Sequence, residues 1–502
     1  MAFAYSIGND ALGDTDPYRH LQYAHQLWLS GFTLRGHPFL PFTALGKAGV
    51  DLWWGFHLFL IPFTAAGIVW GARLAGVAIA ALSAGGLAWV MARMGQARPA
   101  VYALLPTVTS AAFAYRAHVA RPGYLSAPLV LVSLAVGAGA LRLPWAAGAA
   151  FIHGAIHLSS PLSPLFTGLG ALCRGPKAWR AGLKAVLASA AGWLLSMAVR
   201  PDRATFLPVA WAVSLAALGH GPDGRLPNSG GEALAPALSL WGPAVAPTVL
   251  AAIVALAVGR KRERAGSGAG IRAALAATVL SLFLSSRTLK FLDYALPSVA
   301  LVAALAWPRA GIGAPPWVRK VVAAVAGVQL ARAFAVVPAM WFAASVQLAP
   351  AEFYSRFANR LRAQVPSGSM IFVDDWGAGS ILYGFLPDYR YNIAYDQAML
   401  YVGSPELFWT WSHVIDDGVY CAHRELADCP GASFGVGDAQ KALDAFGAQW
   451  VVTRQPARPR SLRRLLEGAP DEFELRLHEK NSAEDFALWH RKPAAGEALP
   501  SP

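Results

Sequence analysis

Between Ile68 and about residue 345 the chain is a succession of apolar runs separated by short basic clusters, and that pattern leaves few folds open. In hydrocarbon every backbone N–H and C=O must find a partner inside the protein, so these runs read as helices. With 55% apolar and 14% charged residues and a mean hydropathy of +0.40, the 502-residue chain is too hydrophobic for a soluble protein and too long for one core. It reads as a polytopic membrane protein.

The runs fall at 68–92, 100–115, 124–141, 144–160, 161–172, 184–199, 236–258, 271–285, 291–307 and 319–345, which predicts about ten spans. The net charge of +13 points to topology, not to nucleic acid, because the bases alternate with the spans. Arg93, the cluster from Arg174 to Lys184, the run Arg260–Arg264 and the group Arg309, Arg319 and Lys320 all fall on one side if the chain starts on the other. By the positive-inside rule that side is cytoplasmic, and residues 1–55, the loop 200–235 and everything after 346 are extracytoplasmic. The expected place is the plasma (inner) membrane, multi-pass. The first 50 residues hold no charged segment followed by an apolar one, so a first helix is expected to be missing from this chain.

After Leu348 the composition becomes mixed, with β-like runs at Met370 to Val373, Tyr389 to Ile393 and Trp450 to Thr453 alternating with helical patterns at 356–364, 438–447 and 461–467. Three regions are expected: residues 1–67, an external loop with interfacial helices; 68–347, an all-α membrane domain; and 348–502, an extracytoplasmic α/β domain. Cys421 and Cys429 are either a local disulfide or two free thiols, and Cys173 is expected to remain reduced. No phosphate-binding glycine loop is present, which argues against ATP-driven chemistry.

Four polar groups share the external side. The first is Gly13-Asp14-Thr15-Asp16-Pro17-Tyr18-Arg19-His20, followed by the amphipathic Leu21 to Trp28 and a second interfacial stretch, Asp51 to His57. Asp14 and Asp16 converge on a divalent cation or a reacting hydroxyl if the loop is irregular or extended; otherwise they are a solvated pair. His57 is either a satisfied histidine on an aromatic face or a ligand to substrate. The second is Tyr115 to Tyr124, where Arg116 and Arg121 bind a lipid phosphate or snorkel to headgroups. The third runs from Ser285 to Tyr294. A helix there places Arg287, Lys290 and Asp293 on one face, as an anion site or as an internal Lys290 to Asp293 pair. The fourth is Asp374-Asp375-Trp376-Gly377, which contacts an acceptor or caps a helix starting at Ser380. His153, His157 and Glu232 are weaker candidates.

These groups in this order resemble the GT-C superfamily of integral membrane glycosyltransferases, and within it bacterial relatives of oligosaccharyltransferase catalytic subunits. Asp16-Pro17-Tyr18-Arg19-His20 resembles the acidic motif of the first external loop in its Asp-x-x-x-His form, Pro122-Gly123-Tyr124 resembles the second external loop, and Asp375-Trp376-Gly377 resembles the Asp-Tyr-Gly core of the motif that opens the outer domain. The resemblance implies a membrane glycosyltransferase with Asp14, Asp16 and His20 as catalytic residues. It further implies Arg287, Lys290, Arg121 and Arg116 holding the phosphate of a polyprenyl-phosphate-linked sugar donor, and Asp375, Trp376, Glu232 and His57 facing a glycan, lipid or protein acceptor. A divalent cation such as Mg or Mn would sit on Asp14 and Asp16. The second external loop, however, offers arginines and no Asp or Glu, and Val373-Asp374 stand where the family has two tryptophans, so Asp16 is expected to act as a general base. Two other classes fit the composition: an inactive relative that binds or assembles surface polysaccharide, and a transporter of lipid-linked sugar.

Overall fold

The computed structural model describes residues 12–96, 98–110, 113–114, 116, 119–217, 226, 245–250, 252–253, 268–306, 320, 324, 348–454 and 459–493. Among the described residues, three helices are long and apolar enough to cross a membrane: Gly67–Arg93, Pro176–Ala198 and Gly268–Arg287. The first has 27 residues, which at ~1.5 Å per residue spans the hydrocarbon with length to spare. Much of their apolar surface points outward: Leu194, Leu195, Val279 and Phe283 are all exposed, as expected of helices solvated by lipid.

Seven shorter apolar helices pack around them, among them Pro99–Thr109, Pro122–Gly137, Leu143–Ile156, Leu162–Leu172 and Leu292–Ala306. Each is shorter than the ~20 residues a full span requires. Proline opens Pro99–Thr109 and Pro122–Gly137, where its missing N–H has no partner to lose. The run expected at 319–345 falls almost wholly, and that at 236–258 mostly, outside the described residues, which supply three full-length spans of the ten expected. Small residues let the helices approach closely. A Cβ on Gly192 would stand 2.1 Å from the Ala147 carbonyl oxygen, so Leu143–Ile156 and Trp179–Ala198 meet backbone to backbone.

Three local expectations are corrected. The first helix runs Asp16–Leu29 and not from Leu21, because Pro17 is pre-organised for the first turn and the Asp14 carboxylate accepts the Asp16 N–H at 3.2 Å. Asp51 to Trp53 form a turn, with the helix following at Trp54–Thr64. The loop 200–235 contains the apolar helix Arg203–Ala217, which buries Phe206, Ala210 and Val213. Its run of apolar residues was readable, but it follows two charged residues, Asp202 and Arg203, and was absorbed into the loop.

The C-terminal domain carries one sheet of five strands: β1 (Met370–Val373), β2 (Arg390–Tyr391), β3 (Trp450–Thr453), β4 (Phe473–Lys480) and β5 (Asp485–Arg491), in the order β2-β1-β3-β5-β4. β1 is parallel to β2 and to β3, while β5 is antiparallel to β3 and β4. The burial of every β1 residue matches a central parallel strand, which reads as a continuous apolar run. The alternating charges of Phe473–Lys480 hide the edge strand β4 from a search for apolar runs. Helix Ala351–Arg362 lays Phe353, Tyr354, Phe357 and Leu361 on this core and turns its arginines outward. Cys421 and Cys429 form a disulfide, settling the two alternatives open above.

The N-terminal helix Asp16–Leu29 packs on helix Trp376–Phe385, so the start of the chain and the C-terminal domain form one unit. Gly379 sets a tight fit: a Cβ there would lie 2.0 Å from the Ile393 carbonyl oxygen. Backbone cannot move aside as a side chain can. Gly379→Ala is expected to lower stability by ~1–3 kcal/mol, measurable as a reduced melting temperature of the purified protein.

Candidate functional site

The parallel arrangement of β1 and β3 puts the residues that follow them side by side at their C-terminal ends. Asp374 Oδ1 accepts the Arg454 N–H at 2.9 Å, and Arg454 reaches Asp375 at 2.7 Å and Glu484 at 2.8 Å. Asp375 also caps helix Trp376–Phe385 by accepting the Ala378 N–H at 2.9 Å. That helix therefore starts four residues earlier than Ser380. A Cβ on Gly377 would lie 3.3 Å from the Thr15 methyl carbon, so this loop faces the acidic motif.

At the motif, Arg121 pairs with both aspartates, with Asp14 and, at 3.0 Å, with Asp16. Arg19 lies 2.6 Å from Asp16 Oδ1, donates to Ser380 Oγ at 3.1 Å, and stacks over the Tyr395 ring at 4.2 Å. Neither approach to Asp16 has hydrogen-bond geometry at Oδ1: among the described residues that buried oxygen accepts no hydrogen bond. Asp16 sits in the first turn of its helix, where the dipole favours the carboxylate.

Lys290 is close by through Asp396, next to Tyr395, at 3.6 Å. The single helical face expected for Arg287, Lys290 and Asp293 does not form, because Gly268–Arg287 ends at Arg287 and a 3-10 turn intervenes before Leu292–Ala306. Asp293 instead takes Arg116 in a two-pronged pair of 2.8 and 2.9 Å, so its partner is Arg116 and not Lys290. Arg287 is exposed at its helix end, with its guanidinium over Phe283 at 5.3 Å. His157 adjoins this group: a Cβ on Gly123 would lie 2.7 Å from Asp293 Oδ2 and 4.0 Å from His157 Nε2.

His20 occupies a different place from the one expected, and His57 takes the first of its two readings, a satisfied histidine among aromatic rings. Both are fully enclosed, His20 Nδ1 meeting His57 Nε2 at 2.8 Å and His57 Nδ1 meeting Asp51 Oδ2 at 2.7 Å. Arg200 and Asp202 complete the chain from behind, with the Asp202 carboxylate accepting the Asp51 N–H at 2.9 Å. Aromatic neighbours Trp53 and Phe56 wall off His20. These histidines brace the helix that carries Asp16 and do not reach its surface. Glu232 and His118 lie outside the described residues.

Burial, reinforced by the charge of Arg19, holds the His20 imidazole well below its ordinary value. Burial likewise lowers His37 to about 3, outweighing the opposite pull of Asp51. Both are therefore neutral in the folded protein, whereas the unfolded chain takes up protons below the ordinary value of 6.5. Their contribution to stability is complete above that value and is lost as pH falls toward 3. For His37 alone the loss at pH 5 is ~2 kcal/mol. Melting temperature is expected to drop between pH 7.5 and 5, and His37→Gln to flatten that dependence.

Of the residues singled out from sequence, Asp14, Asp16, Arg121 and Lys290 come together around Arg19 and the Tyr395-Asp396 pair, and the loop that carries Asp375 and Trp376 approaches them through Gly377. Arg116 is drawn to the adjoining Asp293, and Arg287 stands apart. Arg19, Asp51, Asp396, Arg454 and Glu484 were missed as members of the constellation. Among the described residues no three His, Cys, Asp or Glu side chains gather to hold a metal ion. With Asp14 and Asp16 taken up by guanidinium groups, this donor set does not fit a divalent cation.

No known protein family matches the chain, and no curated protein does. One solved structure with some similarity is that of ArnT from Cupriavidus metallidurans in the apo state. It is 12% identical over 94% of this chain and 93% of that one, with a TM-score of 0.43. A likeness that loose says nothing about the site.

Proposed function

We propose that the chain is a membrane glycosyltransferase of the GT-C kind, moving a sugar from a polyprenyl-phosphate-linked donor to an extracytoplasmic glycan, lipid or protein acceptor. One observation carries the reading: the acidic motif, Arg121, Lys290 and the Asp375 loop, distant in sequence, meet where the apolar helices adjoin the C-terminal domain. A carboxylate flanked by cations is an arrangement suited to acid–base group transfer.

In the proposed step the acceptor hydroxyl or amide gives its proton to the Asp16 carboxylate as the acceptor atom bonds to the anomeric carbon. The bond from that carbon to the phosphate oxygen breaks, and polyprenyl phosphate leaves with the electron pair. Lys290, half exposed and 3.6 Å from Asp396, is the cation proposed to meet the departing phosphate, since Arg116 and Arg121 are closely paired with carboxylates. Arg19 and Arg121 orient Asp16, and partly exposed Trp376 offers an aromatic face to an acceptor sugar. No step involves a metal.

The cellular test is lipid analysis of a strain lacking the gene. The reading expects a polyprenyl-phosphate-linked sugar to accumulate and to return to its normal level when the gene is restored. An unchanged lipid-linked sugar pool would count against it.

A further inference from the structure

A groove of about 830 Å³ runs between the start of Gly67–Arg93 and the amphipathic helix Ala351–Arg362, and none of Asp14, Asp16, Arg121 and Lys290 lines it. Its two walls differ in chemistry. On one side Trp70 is exposed and is followed one turn later by exposed Leu74, so the apolar wall continues down the outside of a membrane-spanning helix. Tryptophan at the end of a span settles at headgroup depth, which places the groove at the membrane surface.

The other wall is cationic. Arg356 and Arg360, one turn apart, both contact the single carboxylate of Glu479 at 3.0 Å, so two guanidinium charges share one counter-charge. Arg73, largely buried, also lines the groove, its guanidinium 4.8 Å from the centre of the Trp70 ring. Glu352 is the one acid among the lining residues, and Asn359 supplies a neutral donor beside the arginines. A positive rim above an apolar stripe complements a molecule with an anionic head and a hydrocarbon tail.

We propose that this groove binds a bilayer phospholipid with an anionic headgroup, its phosphodiester on Arg73, Arg356 and Arg360 and an acyl chain along Trp70 and Leu74. The site is separate from the proposed transfer chemistry and does not depend on it. Lipid held here ties the C-terminal domain to the first long span.

The experiment offers the purified full-length protein phosphatidylglycerol, diacylglycerol with the same chains, or inorganic phosphate, and reads retention by native mass spectrometry. Phosphatidylglycerol alone is expected to be retained, and a photoactivatable form of it is expected to crosslink within residues 69–74 or 351–363. Arg356→Gln with Arg360→Gln, combined with Glu479→Gln so that no carboxylate loses its partners, is expected to weaken retention about tenfold. Equal retention of diacylglycerol, equally tight inorganic phosphate, unchanged retention in the triple variant, or crosslinks confined to other segments each overturns the proposal. Should the variant not fold, the crosslink map of the unaltered protein still decides.

Discussion

Asp14→Asn combined with Asp16→Asn is expected to reduce glycan transfer in a complemented deletion strain by ~10²–10⁴-fold, the usual contribution of a positioned general base. Asn keeps the size and most hydrogen-bonding capacity of Asp but cannot take the acceptor's proton. Asp14→Asn alone is expected to cost far less, because Asp14 caps the Asp16 N–H and pairs with Arg121, tasks that an amide oxygen partly fulfils. Comparing protein levels separates lost chemistry from lost folding, since the double variant leaves Arg121 and Arg19 with less compensation. Undiminished transfer in a double variant present at normal level would remove the catalytic role.

Arg454→Met is expected to be the most damaging single substitution for stability, at about 3–5 kcal/mol. Arg454 bonds Asp375 and, through two nitrogens, Glu484. Burial opposes its charge, but Asp375 and Glu484 outweigh burial and hold the guanidinium above its usual pKa. The Glu484 carboxylate is buried and also accepts from Tyr354 Oη at 2.6 Å. Removing the arginine alone strands that carboxylate in the interior; removing both charges, as Arg454→Met with Glu484→Gln, is expected to recover much of the loss. Thermal melts of the two variants check this, and a double variant no more stable than the single would show that the pair is not the cause.

What the sequence made legible follows from the range of the interactions. β1 and β3 were located to the residue because each is a short apolar run between polar turns, and the Gly67–Arg93 span because Arg73 is its one charged residue before Arg93. The acidic motif stood out through its residue types. Its partners did not: Arg19–Asp16 is local, but Arg121, Ser380 and Tyr395 reach the motif only through packing of helices far apart in the chain. Asp375 and Arg454 could have been paired in advance from parallel strands ending at Val373 and Thr453, had the parallel register been inferred. The Lys290 to Asp293 pairing failed because it assumed a helix through a point where the chain turns. His20 and His57 were polar residues in the right segment, yet their spacing cannot say that they face each other inward and not the substrate.

The central claim is that this chain consumes a lipid-linked sugar at the Asp16 cluster. The most direct measurement incubates the purified protein with radiolabelled polyprenyl-phosphate-linked sugars and membranes extracted from the source cells, and follows the label. The account predicts that the unaltered protein moves label from the lipid fraction into an acceptor and releases polyprenyl phosphate, while Asp14→Asn with Asp16→Asn leaves the label in the lipid. Label that stays in the lipid with the unaltered protein, or leaves it equally fast with the double variant, would contradict it.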